Sequence, residues 1–230
     1  METSPSPLIP QKKAAFFDLD NTLIDGSSSY YFARQLLKTK EIRSRELIRF
    51  ALQNFNFRVL KREDSRSLDL MIEKLSGFVR TKSQKRVKKI CENLAEDILA
   101  RRSFPGMLER IEEHKAVDHD TWIVTAAPME IAEVVAKSLK MAGAIGTKSK
   151  IYRGVYTGEL KDGLMHGMNK AKAIIEIAKK RNYDLGKSFA YSDSINDLHM
   201  LVTVGKPAVV NANKELQTIA LKNQWPIIVT

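Results

Sequence analysis

Two carboxylates one residue apart, Asp18 and Asp20, close the apolar run Ala14-Ala15-Phe16-Phe17, and the hydroxyl of Thr22 follows them. The run reads as a buried strand. Side chains alternate along a strand, so positions i and i+2 project to the same side. Asp18 and Asp20 therefore meet near its carboxyl end, where open α/β sheets bind their ligands. Two such carboxylates repel unless a cation or a shared proton relieves them. The pair calls for a hard divalent ion, with one aspartate left free to do chemistry. Asp and Thr also serve in turns and helix caps, so partners elsewhere must decide the meaning.

Three other stretches offer partners. The strand-like Trp122-Ile123-Val124 ends in Thr125, followed by Ala126-Ala127-Pro128. A hydroxyl there, with a small residue next, can present side-chain and backbone donors to a phosphate oxygen. Threonine is also simply favoured in strands. Gly167-Met168-Asn169-Lys170 opens an amphipathic helix. A lysine at a helix start opposes the dipole, whereas a phosphate there would be attracted by both the helix terminus and the ammonium. Lys172, two residues on, faces elsewhere and is expected in solvent. The third stretch, Phe189-Ala190-Tyr191-Ser192-Asp193-Ser194-Ile195-Asn196-Asp197, again runs from strand to loop. Asp193 sits at the strand end and Asp197 about one helical turn beyond it. Asp193 alone also fits a helix N-cap.

The elements that must hold these groups are legible as pattern. Residues 107–230 alternate helix and strand, which implies a parallel sheet covered on both faces. The spacing predicts strands over 121–125, 188–192, 208–211 and 227–229, with helices over 107–115, 129–141, 169–181, 196–204 and 214–223. An apolar segment spans 144–147, and 151–160, with two glycines and Tyr152-x-x-x-Tyr156, reads as a hairpin or an irregular strand pair. Residues 27–102 are different. Leu47, Ile48, Ala51, Leu52 and Phe55 recur at helical spacing, as do Leu68, Met71, Ile72 and Leu75, and as do Val87, Ile90, Cys91, Leu94 and Ile98. This segment reads as a helical insertion, closed by Phe104-Pro105-Gly106. The expected organisation is a disordered tail (1–13), a catalytic core (14–26 and 103–230) and a helical cap (27–102).

Composition narrows the classes. At 230 residues, 43% hydrophobic and 28% charged, the chain can bury a full core. No apolar run approaches the ~20 residues that span a bilayer, and residues 1–13, with three prolines, carry no signal-peptide core. The single cysteine, Cys91, excludes an internal disulfide, fits a reducing, cytoplasmic compartment and lies on an apolar stripe as a structural thiol. The net charge of +11 is concentrated: residues 27–102 hold 19 Lys+Arg against 9 Asp+Glu, and the remainder 19 against 18. A basic helical surface can be merely solvated, can steer an anionic substrate, or can meet nucleic acid or an acidic lipid surface. No nucleic-acid-binding motif accompanies it.

Asp18-x-Asp20-x-Thr22, Thr125 after a hydrophobic strand, Lys170, and Asp193-x-x-x-Asp197, in this order, resemble the four motifs of the haloacid dehalogenase superfamily. The insertion directly after the first motif resembles that family's type-1 cap. The tract 191–201, with Gly154-Val155-Tyr156-Thr157-Gly158 before the lysine, is similar to the branch containing phosphoserine phosphatases.

The resemblance implies a Rossmann-like core with an inserted helical cap, and a Mg²⁺-dependent phosphomonoester hydrolase of a small phosphorylated metabolite. Asp18 would be the nucleophile that becomes an aspartyl-phosphate. Asp20 would protonate the leaving alcohol and then take a proton from water. Thr125, Ala126 and Lys170 would bind phosphoryl oxygens. Mg²⁺ would be held by Asp18, the backbone carbonyl of Asp20 and Asp193. Asp197 would orient Lys170 or a water, and Asn196 would contact substrate. One departure bears on the substrate: where phosphoserine phosphatases carry a glutamate for the substrate ammonium, this chain has Ser27, and Ala126 and Ala127 replace their glycines. Phosphoserine, histidinol phosphate and other small phosphates thus stay open. A phosphotransferase with the same intermediate, or an inactive scaffold binding nucleic acid or lipid through the basic cap, are the readings of other kinds.

Overall fold

The computed structural model describes residues 11–41 and 76–230. The stripes at 47–55 and 68–75, and with them residues 42–75 of the expected cap, lie outside the described residues. The described elements, in order, are β1 (Ala14–Phe17), α1 (Ser28–Lys38), α2 (Gln84–Arg102), α3 (Pro105–Ala116), β2 (Asp120–Pro128), α4 (Met129–Ser138), β3 (Gly143–Thr147), β4 (Ser149–Tyr152), β5 (Val155–Leu160), α5 (Met168–Arg181), β6 (Phe189–Ser192), α6 (Leu198–Leu201), β7 (Lys206–Val210), α7 (Lys214–Lys222) and β8 (Ile227–Ile228).

Six strands form one sheet in the order β3-β2-β1-β6-β7-β8, every pairing parallel. The parallel sheet implied by the β-α alternation is present, and β4 and β5 form the expected antiparallel hairpin. β1 is buried along its whole length and feeds both faces. Ala15 and Phe17 join one apolar cluster, Ala14 and Phe16 the other. A strand covered on both sides needs an unbroken apolar run, and its burial is what makes the two carboxylates after it stand out. Chain order reverses between β1 and β6, so the crevice at their carboxyl ends is the topological switch point of the sheet.

The insertion leaves and returns through a paired neck. Asp25 N donates to Arg102 O at 2.7 Å and Phe104 N to Leu23 O at 3.0 Å. Pro105 then starts α3, where its missing N–H costs nothing. The described part of the insertion shares the core cluster: Phe32 and Leu36 of α1, and Val87, Cys91, Leu94 and Ile98 of α2, pack with Ile131 and Val135 of α4.

Several expected boundaries move. Lys12 and Lys13, expected in the tail, are tied to the core: Lys12 N donates to Asn182 O (3.1 Å), and Asp120 N to Lys13 O (3.1 Å). β2 continues past Thr125 to Pro128, because pairing with β3 breaks after Val124↔Ile145 and resumes at Pro128↔Thr147. The helix expected over 129–141 stops at Ser138. That expected over 196–204 divides into a 3₁₀ turn (Ile195–Asp197) and the short α6, where Ser194 Oγ competes for Asn196 N at 3.1 Å. Among the described residues no helix is long and apolar enough to cross a membrane.

Behind β1, His114 is buried against Phe17 and Phe189 and bonded at both ring nitrogens, to His119 Nδ1 (2.9 Å) and Tyr191 OH (2.8 Å). Burial, reinforced by His119 and Arg110, pushes its pKa down to about 4. The unfolded chain therefore binds a proton near pH 6.5 that the folded protein refuses until about 4. Stability contributed by the neutral ring is present above pH 6.5 and lost as pH falls toward 4, by up to about 3 kcal/mol. Thermal melts of His114→Gln should show a shallower loss across that window than the parent; equal slopes would remove His114 from the account.

Candidate active site

The chemistry-bearing residues converge on the crevice between β1 and β6. Asp18 N donates to Tyr191 O at 2.9 Å, which carries the pairing of the two strands one residue past β1. The Asp18 residue is 6% exposed. The Lys170 ammonium lies 2.7 Å from Asp18 Oδ1 and 2.7 Å from Asp197 Oδ2, and all three side chains are buried. Lys170 reaches this point because Gly167, whose φ of 53° suits glycine, turns the chain into the first turn of α5. Asp197 is held in turn by Ser192 Oγ, which donates to the same Oδ2 at 2.7 Å. A lysine that looked misplaced at a helix start is the cation between two carboxylates.

Asp20 is fastened separately. Asn21 adopts a left-handed backbone (φ 56°) and accepts from Gly26 N at 3.0 Å, turning the chain back after the strand. That turn aims the start of α1 at Asp20, and Ser28 N donates to Asp20 Oδ1 at 2.9 Å. Ser27 caps α1 by accepting from Tyr30 N at 3.3 Å. Thr22 bridges the two strand ends: its Oγ1 donates to Asp193 Oδ1 (3.2 Å) and accepts from Asp193 N (3.1 Å).

On the other side of β1, the irregular stretch of β2 presents Thr125, whose Oγ1 accepts from Ala127 N at 3.1 Å. Its own hydroxyl proton stays available to an incoming acceptor. Ala126 O accepts from Thr147 Oγ1 at 2.7 Å, which ties the loop to β3. Asn196 lies in the 3₁₀ turn, its backbone N bonded to Ser194 Oγ and its carbonyl facing Gly167. The structure thus brings Asp18, Lys170 and Asp197 into direct contact and links Asp20 and Asp193 to them through neighbouring turns.

The electrostatics follow from burial. Burial pushes the Asp18 carboxyl up, to about 7, against the pull of Lys170 and with repulsion from Asp197 and Asp20 on the same side. Asp20 is raised chiefly by burial, opposed by its bonds to Ser28. Burial works against the Lys170 ammonium, but Asp18 and Asp197 overcome it and hold its pKa above the ordinary value.

A hard cation is compatible with these donors. Among the described residues no three Asp, Glu, His or Cys side chains are placed to hold an ion. The set expected from the sequence does not require three, since it uses the Asp18 and Asp193 carboxylates and the Asp20 carbonyl. Lys170 engages only Oδ1 of Asp18, so Oδ2 takes no hydrogen bond among the described residues. Oxygen donors alone, completed by water, suit Mg²⁺.

The sequence pattern of the haloacid dehalogenase-like hydrolases matches residues 15–202. The chain belongs to that family. Among relatives of this hydrolase is the phosphoserine phosphatase SerB1 of Mycobacterium tuberculosis, 32% identical over 96% of this chain and 72% of its own length. A histidinol-phosphatase of Neisseria meningitidis is 28% identical over 94% and 98%. A solved structure of a Bordetella pertussis protein of unknown function superposes with a TM-score of 0.82, at 23% identity, covering 95% of this hydrolase and 99% of that chain. That last likeness shows the fold.

The hydrolase also uses residues whose roles residue types alone do not reveal. Thr22, Ser28 and Ser192 each hold one of the aspartates. The nearest signal in the sequence for Ser28 is the run Ser27-Ser28-Ser29 opening a helix directly after the carboxylate pair.

Proposed function

We propose that this haloacid dehalogenase-like hydrolase is a Mg²⁺-dependent phosphomonoesterase of a small phosphorylated metabolite. The observation that carries the reading is the buried Asp18–Lys170–Asp197 contact at the end of β1. A charged lysine held there by two carboxylates is ready to receive a phosphoryl group, and it leaves one oxygen of Asp18 free to attack phosphorus. Attack forms an aspartyl-phosphate on Asp18 and expels the alcohol, whose oxygen takes the proton of Asp20. Burial favours the protonated form of Asp20, which suits the acid role; the same carboxylate then accepts a proton from the water that hydrolyses the acyl phosphate. Lys170, the Thr125 hydroxyl and the Ala126 amide offer donors to the phosphoryl oxygens as their charge grows. Mg²⁺, held by Asp18, the Asp20 carbonyl and Asp193, would offset the repulsion between carboxylate and phosphate. Asp197 positions Lys170. The names of the relatives keep phosphoserine and histidinol phosphate as candidate substrates. The buried thiol of Cys91 is in keeping with a reducing, cytoplasmic setting.

Phosphate release from an aryl phosphate tests this, with expected loss on adding EDTA. The metal and pH are linked. Metal-free protein holds a proton on Asp18 below about 7, so its stability falls as pH rises from 3.8 toward that value. Mg²⁺ must displace this proton, so its affinity should climb with pH and level off above about 7. Higher Mg²⁺ should therefore move the acid limb of kcat/KM to lower pH. Turnover that ignores EDTA, or a limb that ignores Mg²⁺, would sink the reading.

A further inference from the structure

The β4–β5 hairpin is anchored from its inner side and bare at its tip. Tyr156, opposite Ile151, is buried and donates its hydroxyl to Glu130 Oε1 of α4 at 2.7 Å. Strand alternation puts the next pair, Tyr152 and Val155, on the outer side. Tyr152 is 65% exposed, Ile151 39% and Val155 37%. The guanidinium of Arg153, in the turn, stands over the Tyr152 ring at 5.2 Å. Three large apolar side chains clustered in water at one hairpin end forgo the burial such residues usually gain.

The start of α2 is clipped to this tip. Gln84 N donates to Gly154 O (2.8 Å), Thr81 N to Tyr156 O (2.9 Å) and Tyr156 N to Lys82 O (3.0 Å). Arg80 lays its side-chain stem across Gly158 of β5. Residues 76–91 hold six Lys+Arg and residues 148–155 three, with no Asp or Glu in either stretch. Glutamates from outside offset part of this charge: Glu41 pairs with Lys82 and Arg86, Glu92 with Lys89, and Glu159 with Lys150. Lys85 and Lys88, both exposed, make no ion pair among the described residues. Cations oppose the dipole at a helix start, and α2 has no acid in its first turn. Stability of the fold does not account for this charge.

Exposed apolar side chains beside a cation cluster match one kind of partner. The boundary of an anionic bilayer takes aromatic and aliphatic groups at headgroup level and attracts Lys and Arg through its surface potential. A nucleic acid would use the cations but offers no apolar layer to Ile151 and Val155. A second copy on the same face would set like charges against each other. We propose that the hairpin tip and the start of α2 dock this hydrolase on an anionic phospholipid surface. Tyr152, Ile151 and Val155 enter the headgroup boundary, and Arg153, Lys85 and Lys88 meet lipid phosphates. The inference goes beyond the phosphomonoesterase reading and does not depend on it.

Cosedimentation with vesicles of phosphatidylcholine, and of phosphatidylcholine mixed equally with phosphatidylglycerol, tests this. The protein should bind the anionic vesicles alone, and high salt should release most of it. Each cation near such a surface strengthens partitioning about fivefold, so Lys85→Ala with Lys88→Ala should weaken binding about 30-fold. Ile151→Ser with Tyr152→Ser should weaken it about tenfold or more. In Tyr152→Trp, lipids brominated in their tails should quench emission beyond the quenching of Trp122 and Trp225 in the parent. Equal binding to neutral vesicles, binding unmoved by either double variant, or no added quenching in Tyr152→Trp overturns the inference. So does the absence of vesicle binding, and RNA or DNA bound in its place would assign the face to nucleic acid. Aryl phosphate turnover should be the same in every variant, so failure here leaves the phosphomonoesterase reading to its own test.

Discussion

Asp18→Asn should abolish turnover, lowering kcat on the order of 10⁴-fold or more, and should leave the fold standing. The amide has the same shape but cannot attack phosphorus or carry the acyl phosphate. The structural cost is small, because opposing effects meet at this position. Removing the charge relieves a desolvated carboxylate that Asp197 and Asp20 repel, while Lys170 loses one of two partners and keeps the other. The variant should therefore melt within a few degrees of the parent and still bind inorganic phosphate. Acid quenching after mixing with labelled substrate should trap phosphate on the parent protein and none on the variant. Substantial turnover by Asp18→Asn would remove Asp18 as the nucleophile.

Lys170→Met should do more damage to the structure. It leaves Asp18 and Asp197 buried and facing one another without their shared cation. Breaking a buried pair by removing one partner costs about 3–5 kcal/mol. For a chain of this length that is a fall in Tm of about 10 °C. The loss should depend on pH. Without the ammonium the Asp18 carboxyl keeps its proton to still higher pH than in the parent, so the gap between variant and parent should widen as pH rises above about 7. Activity should fall about 10²- to 10³-fold from the lost stabilisation of the phosphoryl oxygens. Adding Asp18→Asn to Lys170→Met removes one of the two stranded charges and should recover part of the Tm without recovering any activity, a non-additivity expected of groups in contact. A pH-independent Tm deficit, or no recovery in the double variant, would mean that Lys170 is not the cation of this cluster.

Much of this site could be read from residue type and local spacing. Asp18 and Asp20 declare themselves because strand periodicity is a local property, and a buried strand that ends in two carboxylates is unusual within a few residues of chain. Lys170 is visible as an anomaly, a cation where the helix dipole disfavours one. Asp193 and Asp197 announce themselves by ending a second such strand. The supports are less legible. Thr22 meets Asp193 across 171 residues, and a threonine in a turn has ordinary reasons to be there. Ser28 acts through its backbone amide, which every residue except proline possesses. Glu130 and Tyr156 look like a helix-start acid and a strand aromatic until their contact is seen.

The order of the sheet shows the same division. Alternating apolar segments require parallel strands covered by helices, because each segment has a face to bury, and that requirement is local. Which strand lies beside which is decided by packing among segments far apart in sequence, and the placement of β6 beside β1 is what sets Asp193 opposite Asp18. Likewise β2 continues beyond Thr125 because β3 offers partners out to Thr147, an event no window of sequence contains. By itself the amino-acid sequence determined the chemical kind of this protein: a carboxylate pair, a phosphate-seeking lysine and a second acidic strand end on an α/β frame. Only the tertiary structure decided the pairings, Lys170 between Asp18 and Asp197, Thr22 on Asp193, and Tyr156 on Glu130. Charge and periodicity act over a few residues, whereas the partner of a buried charge is chosen by three-dimensional proximity.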